Sequence, residues 1–385
     1  MSDLPITRTA IAGIGETEYS SASGRSELSL AVEASLAAIR DAGLTPADID
    51  GLITFTMDFN DELEVQRSLG IPGLNWTSRS PFGGAGFAAC VQMAAAAVSS
   101  GAADAVLIYR AFNERSGRRF GSPESHAGFG MSGKKLDFHY TLAFNTAAKS
   151  YAMDFQPYAR RYGITSEDLG RYVVQTREYA ATNPRAQFYG KPLSLEEHQA
   201  SRWIVEPLIR RWDCCLETDG GAAIVVTTLD RARDLRQPVV RIHAAAQHHG
   251  IRGKIIYDAY RSDEEKDVEA RRLNDVLERQ SGMRPNEANM AMIYDAFTPS
   301  VYLGLENRGL CGPGEARDFI AAGHTGRGGR MPVNPNGGLM GEAYIHGVNN
   351  IVEGVRQVRG QAVNQVPNVE RVLVSGGSAL ILGTP

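Results

Sequence analysis

The chain has 385 residues, of which 43% are hydrophobic and 22% charged, and its formal net charge is −4. This composition is typical of a soluble globular protein, and the length favours two packed halves over one simple core. The small net charge, with no long run of either sign, argues against nucleic acid as a partner.

The first residues, the apolar segments and the cysteines indicate where in the cell the protein lies and whether its thiols are reduced. The first 20 residues carry an acidic residue early and lack a long apolar stretch, so they do not look like a signal peptide. No segment approaches the roughly 20 apolar residues that span a bilayer. The cysteines (Cys90, Cys214, Cys215 and Cys311) have the spacing of neither a disulfide framework nor a zinc site. We therefore expect a cytoplasmic protein with reduced thiols and no metal.

The first hundred residues alternate between strand and helix patterns. Residues 7–13, 49–55 and 105–109 predict strands, and residues 28–42 and 85–98 predict helices. The second helix is rich in alanine and apolar on nearly every side, which indicates that it is buried. The alternation predicts parallel strands joined by crossover helices.

The alternation of strand and helix patterns is lost between residues 112 and 212, where Tyr, Arg, Phe, Gly and Met become frequent. We interpret this stretch as an inserted subdomain with helices at 144–162 and 166–182, and insertions of this kind usually carry binding function. A strand is predicted again at 222–228. The sequence predicts a first half at 1–232, with the insertion at about 112–215, and a second half at 233–385.

The second half repeats the alternation of strands and helices. Strands are predicted at 239–246 and 290–294, and helices at 267–278 and 300–308. A Gly/Asn/Pro-rich loop at 323–338 precedes a predicted helix at 342–359, and a hairpin at 372–375 and 379–382 closes the chain. Two halves of like design suggest an internal repeat.

Four segments resemble the thiolase superfamily, and within it the lipid-transfer-protein branch related to sterol-carrier-protein thiolase. They begin with AIAGIGETEYS at residue 10, WDCCLETDGGAAIVVT at 212, GLCGPGEARDF at 309 and VRQVRGQAV at 355. The resemblance covers nearly the whole chain in order. It implies a thiolase fold, with two pseudo-repeated βαβαβ halves in a five-layer α-β-α-β-α arrangement and an inserted loop subdomain.

The chain departs from that family at three catalytic positions. The position of the nucleophilic cysteine, counted back from Gly101, falls near Gly84, and Cys90 lies well inside the helix. The His-Asp-Cys-Phe run of the sterol-carrier branch is replaced here by residues 294–297, which read Tyr-Asp-Ala-Phe. The histidine before the last helix of thiolases is also missing, and Tyr344 lies close to its place.

These departures predict a change of reaction. Without a thiolate the site cannot form an acyl-enzyme, but an acyl-CoA pocket can still stabilise an enolate. A retro-aldol step needs only an enolate and two proton transfers, which two tyrosines can perform if one is partly ionised or coupled to water. Backbone N–H groups near Gly83, Gly84 and Gly341 could stabilise that anion.

The candidate site follows from the same comparison. We assign proton transfer to Tyr294 and Tyr344, without deciding which is acid and which is base. Asp295 either orients Tyr294 or caps the following helix. His346 is either part of the site or structural. The predicted substrate-binding residues are Gly83, Gly84, His126, Gly338, Gly341, His346 and Gly377.

Members of the branch with this tyrosine pattern are steroid side-chain aldolases. The resemblance implies cleavage of 17-hydroxy-3-oxo-4-pregnene-20-carboxyl-CoA to androst-4-ene-3,17-dione and propionyl-CoA, with no cofactor beyond the coenzyme A of the substrate. It also implies a homodimer and a heteromeric complex with the OB-fold domain of a partner hydratase. Two alternatives stay open: a non-catalytic acyl-CoA- or lipid-binding scaffold, and an acetyl-CoA acyltransferase that uses Cys90 or Cys311.

Overall fold

The computed structural model describes residues 4–80, 84–117, 119, 146–249 and 262–385. Its strands are β1 (Thr9–Glu16), β2 (Gly51–Phe55), β3 (Trp76–Ser80), β4 (Ala105–Asn113), β5 (Trp203–Val205), β6 (Ile209–Arg210), β7 (Asp219–Thr228), β8 (Val240–Gln247), β9 (Met290–Ile293), β10 (Arg371–Ser375) and β11 (Ser378–Gly383).

The described α-helices are α1 (Glu27–Ala42), α2 (Glu62–Leu69), α3 (Phe87–Ser99), α4 (Ala147–Tyr162), α5 (Ser166–Thr182), α6 (Leu195–Ala200), α7 (Leu229–Arg233), α8 (Asp263–Ser281), α9 (Thr298–Asn307), α10 (Ala316–Ala321), α11 (Gly338–Gly341) and α12 (Val348–Arg359). Helices α4 and α5 confirm the two helices predicted for the insertion. Strand β3 and helix α2 were not predicted.

Nine strands form one mixed sheet in the order β3-β2-β4-β7-β1-β8-β11-β10-β9. Strands β2, β3 and β4 are parallel, as are β9 and β10, whereas β7 runs antiparallel to β1 and β4. The expectation of parallel strands therefore holds for β2, β3 and β4 and for β9 and β10, but not for the whole sheet. Strand β11 follows β10 in a tight hairpin, whereas β7 follows the long insertion with helices α4, α5 and α6, and both pair antiparallel with their neighbours.

The strand order fits the predicted internal repeat. The first half runs 1-7-4-2-3 outward from the centre, and the second runs 8-11-10-9. The two series meet where β1 pairs with β8 at only two residue pairs. The boundary between residues 232 and 233 stays a prediction.

The helices complete the layers. Helix α3 contacts strands of both halves, and so does α12, which places both helices between the two parts of the sheet. Helix α1 covers β1, β4 and β7 from outside, and α8 covers β8 and β11. The alanine-rich sequence of α3 suits this central position, because small side chains let a helix approach two layers at once. Its residues Phe87–Val91 are all buried.

Helix α1 packs unusually close to β1. A Cβ atom on Gly13 would lie 2.1 Å from the carbonyl oxygen of Ala38, and one on Gly15 would lie 2.2 Å from that of Ala34. The helix itself begins at Ser26, whose side chain accepts a hydrogen bond from the Ser29 N–H, and ends at Gly43 in the left-handed conformation.

The last central helix begins later than predicted. The pattern indicated a helix from residue 342, but α12 starts at Val348, and residues 342–347 form a turn. The buried carboxylate of Glu342 accepts hydrogen bonds from the side-chain amides of Asn183, Asn336 and Asn349. These tertiary contacts outweigh the local helical pattern and hold the turn that carries Tyr344 and His346.

Among the described helices, none is long and apolar enough to cross a membrane. The described residues also hold no group of three His, Cys, Asp or Glu side chains that could bind a metal ion.

Candidate active site

Two tyrosines meet between the halves of the sheet. Tyr294 follows β9 directly, and its N–H donates to the Ser375 carbonyl at 2.8 Å. Tyr344 lies on the 342–347 turn, and its N–H donates to Thr218 Oγ1 at 3.0 Å. The two hydroxyl oxygens are 2.7 Å apart, and both side chains are buried. The structure therefore brings together the two residues predicted to move protons.

The surroundings of the pair favour protonated hydroxyl groups. Burial, followed by the charge interaction with Tyr151, raises the pKa of Tyr294 well above its ordinary value near 10. Burial, followed by Tyr294 itself, does the same to the pKa of Tyr344. Burial therefore disfavours the partly ionised tyrosine, because an anion there would lose its solvation, and a tyrosine coupled to water stays the prediction.

His346 forms one wall of this site. Its ring lies 4.8 Å from that of Tyr344 and stacks on Phe112 at 5.1 Å. Its Nδ1 accepts a hydrogen bond from Arg110 Nε at 3.1 Å. Burial, together with the Arg110 charge, lowers the pKa of His346 well below its usual value. The imidazole is therefore neutral, with its proton on Nε2.

The arginine behind His346 is fully buried. Arg110 Nη1 lies 2.9 Å from Asp58 Oδ2, and both side chains are inaccessible to solvent. The guanidinium also lies over the ring of Phe112, at 4.0 Å from its centroid. A chain of contacts thus runs from Asp58 through Arg110 and His346 to Tyr344.

Asp295 faces the glycine-rich loop. Its Oδ1 accepts from the Leu339 N–H at 2.8 Å, and the Tyr172 hydroxyl donates to Oδ2 at 3.4 Å. The alternative that it caps the following helix is wrong, since Phe297 is the N-cap residue of α9 and no side chain caps the helix. Asp295 instead positions α11, and its catalytic role stays a prediction.

The predicted binding glycines that the structure describes lie in two groups. Gly84 begins the 3₁₀ turn Gly84–Gly86 before α3, and the Gly377 N–H donates to the Ala85 carbonyl at 2.7 Å, so these two segments touch. Gly338 has a φ of +61°, and a Cβ there would lie 2.1 Å from Asp295 Oδ2. Gly341 packs against Ala180 of α5.

Gly83 and His126 lie outside the described residues. The binding roles of all seven predicted residues stay predictions.

The thiols do not replace the missing nucleophile. Cys90 is buried in α3, its sulfur donates to the Thr54 carbonyl at 3.5 Å, and burial raises its pKa to about 12. Burial likewise raises the pKa of Cys311 to about 12. Cys215 lies nearer to the tyrosines, but burial and the charge of Glu114 raise its pKa well above the ordinary value. A thiol held protonated is a poor nucleophile.

We expect the Cys90→Ala variant to keep kcat within about twofold of the parent. The change should lower the free energy of unfolding by about 1 kcal/mol, as for loss of one small buried group. Steady-state kinetics and denaturant unfolding would measure the two effects. A folded variant without turnover would restore the acyltransferase hypothesis.

We expect Asp295→Asn to change how stability depends on pH. Burial raises the pKa of Asp295 to about 7, whereas in the unfolded chain it is about 3.9. The folded state thus holds this proton more tightly, so its contribution is full below pH 4 and is lost as the pH rises through 7. The melting temperature of the parent, relative to the variant, should fall across that interval. A difference that is constant between pH 4 and pH 8 would contradict this.

Three buried charged residues at the site were not predicted: Asp58, Arg110 and Glu114. A signal was available for the last two, because Arg110 and Glu114 interrupt or end an otherwise apolar run from residue 105. A charge inside a buried strand usually has a partner or a function. Asp58 lies in a polar segment that gave no comparable signal.

Comparison with known proteins places the chain in a family. Residues 274–382 match the family "Thiolase C-terminal domain-like". The chain is 50% identical to the steroid side-chain-cleaving aldolase of Thermomonospora curvata, over 100% of this chain and 99% of the relative. It is also 50% identical to the 17-hydroxy-3-oxo-4-pregnene-20-carboxyl-CoA lyase of Mycobacterium tuberculosis, over 98% of this chain and 99% of the relative.

A solved structure agrees with these relatives. The structure described as an Ltp2-ChsH2(DUF35) aldolase superposes with a TM-score of 0.90 at 48% identity, and the match covers 98% of each chain. The predicted thiolase fold is therefore confirmed. The chain belongs to the thiolase superfamily, in the branch that contains the steroid side-chain-cleaving aldolases.

Proposed function

We propose that this chain is a carbon–carbon lyase that cleaves a β-hydroxyacyl-CoA by a retro-aldol reaction. The substrate is 17-hydroxy-3-oxo-4-pregnene-20-carboxyl-CoA, and the products are androst-4-ene-3,17-dione and propionyl-CoA. The 2.7 Å contact between the hydroxyls of the buried Tyr294 and Tyr344 carries the proposal. The identity to relatives with this activity supplies the substrate class.

The proton transfers of this reaction balance when both tyrosines are neutral. The β-hydroxyl proton of the substrate passes to the oxygen of one tyrosine, which gives its own proton to the other. The bond between the α- and β-carbons breaks, and its electron pair forms the thioester enolate while the β-carbon becomes a ketone. As these protons move, the second tyrosine gives its own proton to the α-carbon, so neither tyrosine carries two protons at any point. One proton leaves an oxygen and one arrives at a carbon, so the reaction needs no cofactor beyond the coenzyme A of the substrate.

The assay combines the pure chain with the steroid-CoA and detects androst-4-ene-3,17-dione and propionyl-CoA by mass spectrometry. In D₂O the propionyl-CoA should carry one deuterium at its α-carbon, because the enolate is protonated by exchangeable hydroxyl groups. A matched substrate without the 17-hydroxyl should bind and not react. Thiolysis of a 3-ketoacyl-CoA by free coenzyme A would support the acyltransferase instead, and binding without turnover would support the scaffold.

The partners are part of the proposal. The similar solved structure is named as a complex with a DUF35 domain, so the assay is run with and without such a domain. We also propose a homodimer formed through β3, which lies at one edge of the described sheet. Phe59 and Leu63 belong to the segment that connects β2 to β3, and their side chains are 47% and 60% exposed. Sedimentation showing a fully active monomer would contradict the dimer. With a coenzyme A thioester as substrate, we place the reaction in the cytoplasm.

A further inference from the structure

Glu114 is a buried carboxylic acid on the tyrosine side of β4. It directly follows β4 and is only 2% exposed. Side chains alternate along a strand, so Glu114 continues the face that carries Arg110 and Phe112. The Phe112 ring lies 6.3 Å from that of Tyr344 in an edge contact.

A second contact places Glu114 at the same site. Its backbone N–H donates to the Thr218 carbonyl at 3.3 Å, and the Tyr344 N–H donates to the hydroxyl of the same Thr218 at 3.0 Å. The backbone N–H groups of Glu114 and Tyr344 therefore both donate to Thr218, although 230 positions separate the two residues in the chain.

The carboxyl group is incompletely satisfied. Its Oε2 atom is buried without a hydrogen-bond partner. Buried polar atoms nearly always have a partner, so an atom without one calls for an explanation. Burial above all, then the charges of Glu217 and Asp219, raise the pKa of Glu114 well above its ordinary value, while Thr218 and Arg110 oppose the shift.

Its charge also reaches the reacting groups. After burial and nearer neighbours, the Glu114 charge helps raise the pKa of both Tyr294 and Tyr344. It acts in the same way on the pKa of Cys215, where it follows burial as the next largest cause. The carboxylate thus lies within electrostatic range of both hydroxyls and of the thiol beside them.

We propose that Glu114 stores the proton of the retro-aldol reaction between its two transfers. The inference rests on the proposed function. The ionised carboxylate receives the β-hydroxyl proton through the tyrosine pair as the carbon–carbon bond breaks. It returns the same proton through the pair to the enolate carbon, which regenerates the carboxylate. Glu114 acts through the tyrosines and does not itself touch the substrate.

A carboxyl group suits this task better than a third tyrosine. Both tyrosines stay protonated, so neither can keep the extra proton by itself, and without a store both transfers would have to occur together. A group whose pKa lies nearer the working pH can hold a proton and release it. Burial raises the pKa of Glu114, which makes its carboxylate a stronger proton acceptor than an exposed one.

The test compares Glu114→Gln with the parent in kcat and in the pH profile of kcat/KM. The parent should lose activity as the pH falls through the raised pKa of Glu114, because the protonated group cannot accept. The variant should lose about tenfold or more in kcat, less than a full general acid–base effect because the tyrosines remain. Its profile should lack the acidic limb. Turnover within twofold of the parent, or an unchanged limb, would overturn the inference.

Glu217→Gln is the matched control. Its charge raises the pKa of Glu114, so this variant should keep kcat while its acidic limb moves to lower pH. A limb that stays in place in this variant would also count against Glu114.

Stability separates this role from a structural one. The folded chain holds the Glu114 proton more tightly than the unfolded chain, so the parent loses stability as the pH rises, and the Gln variant should not. At pH 8 the variant should therefore melt at the same temperature or higher. A lower melting temperature would indicate a structural carboxylate and overturn the inference. A parent without aldolase activity would instead refute the proposed function.

Discussion

Replacement of either Tyr294 or Tyr344 by phenylalanine should lower kcat by about 10²–10⁴-fold, the usual range for a general acid–base group. Each hydroxyl is the other's partner at 2.7 Å, so one loss interrupts the proton path. The fold should survive, because phenylalanine keeps the ring. Binding of a non-reactive acyl-CoA, measured by calorimetry, should persist.

The double variant is the sharper experiment. Its kcat should not fall by the product of the two single effects, because residues that act as one unit are not additive. The losses in the free energy of unfolding should also be less than additive. Each single variant leaves one buried hydroxyl without its partner, at about 1–3 kcal/mol, while the double variant removes both. The double variant should therefore be more stable than the sum of the single losses predicts.

Tyr302→Phe supplies the matched control. Tyr302 is fully buried in α9, and its hydroxyl donates to the Asp168 carbonyl at 2.8 Å, so the change removes a buried hydroxyl elsewhere. Its kcat should stay within twofold of the parent. If both active-site variants behave like this control, the tyrosines do not carry the proton transfers, and Asp295, His346 or a partner residue becomes the candidate.

Asp58→Ala should reduce the free energy of unfolding by about 3–5 kcal/mol, the usual effect of removing one partner of a buried ion pair. Asp58 accepts from Arg110 Nη1, from the Ala111 N–H and from Asn60. Without it the arginine keeps a buried charge. One more of its nitrogens, Nη2, is already buried without a partner. Denaturant unfolding would measure the loss.

Two further variants isolate the cause. In Asp58→Ala/Arg110→Met the charge is removed as well, so this double variant should be more stable than Asp58→Ala alone. Asp230→Ala breaks an exposed pair with Arg233 and should leave stability nearly unchanged. If Asp58→Ala costs less than about 1 kcal/mol, the ion pair does not hold the His346 wall as we infer.

Helix and strand patterns identified most of the elements that position the site. The alanine-rich run predicted α3, the spacing of apolar residues predicted α4 and α5, and the apolar run before Tyr294 predicted β9. Failures occurred where tertiary contacts override local preference. Strand β3 reads Trp-Thr-Ser-Arg-Ser and is only partly buried, so it lacks the apolar alternation that identifies a strand.

The sequence by itself determined that this chain has a thiolase-like order of elements, that the nucleophilic cysteine is missing near Gly84, and that tyrosines stand near two histidine positions. Only the tertiary structure decided that Tyr294 and Tyr344 touch, that burial raises the pKa of both, and that burial and the Arg110 charge lower the pKa of His346. The reason is physical. Periodicity and residue type act along a short stretch of chain, whereas burial and charge at the site depend on segments that lie 50 to 236 positions apart.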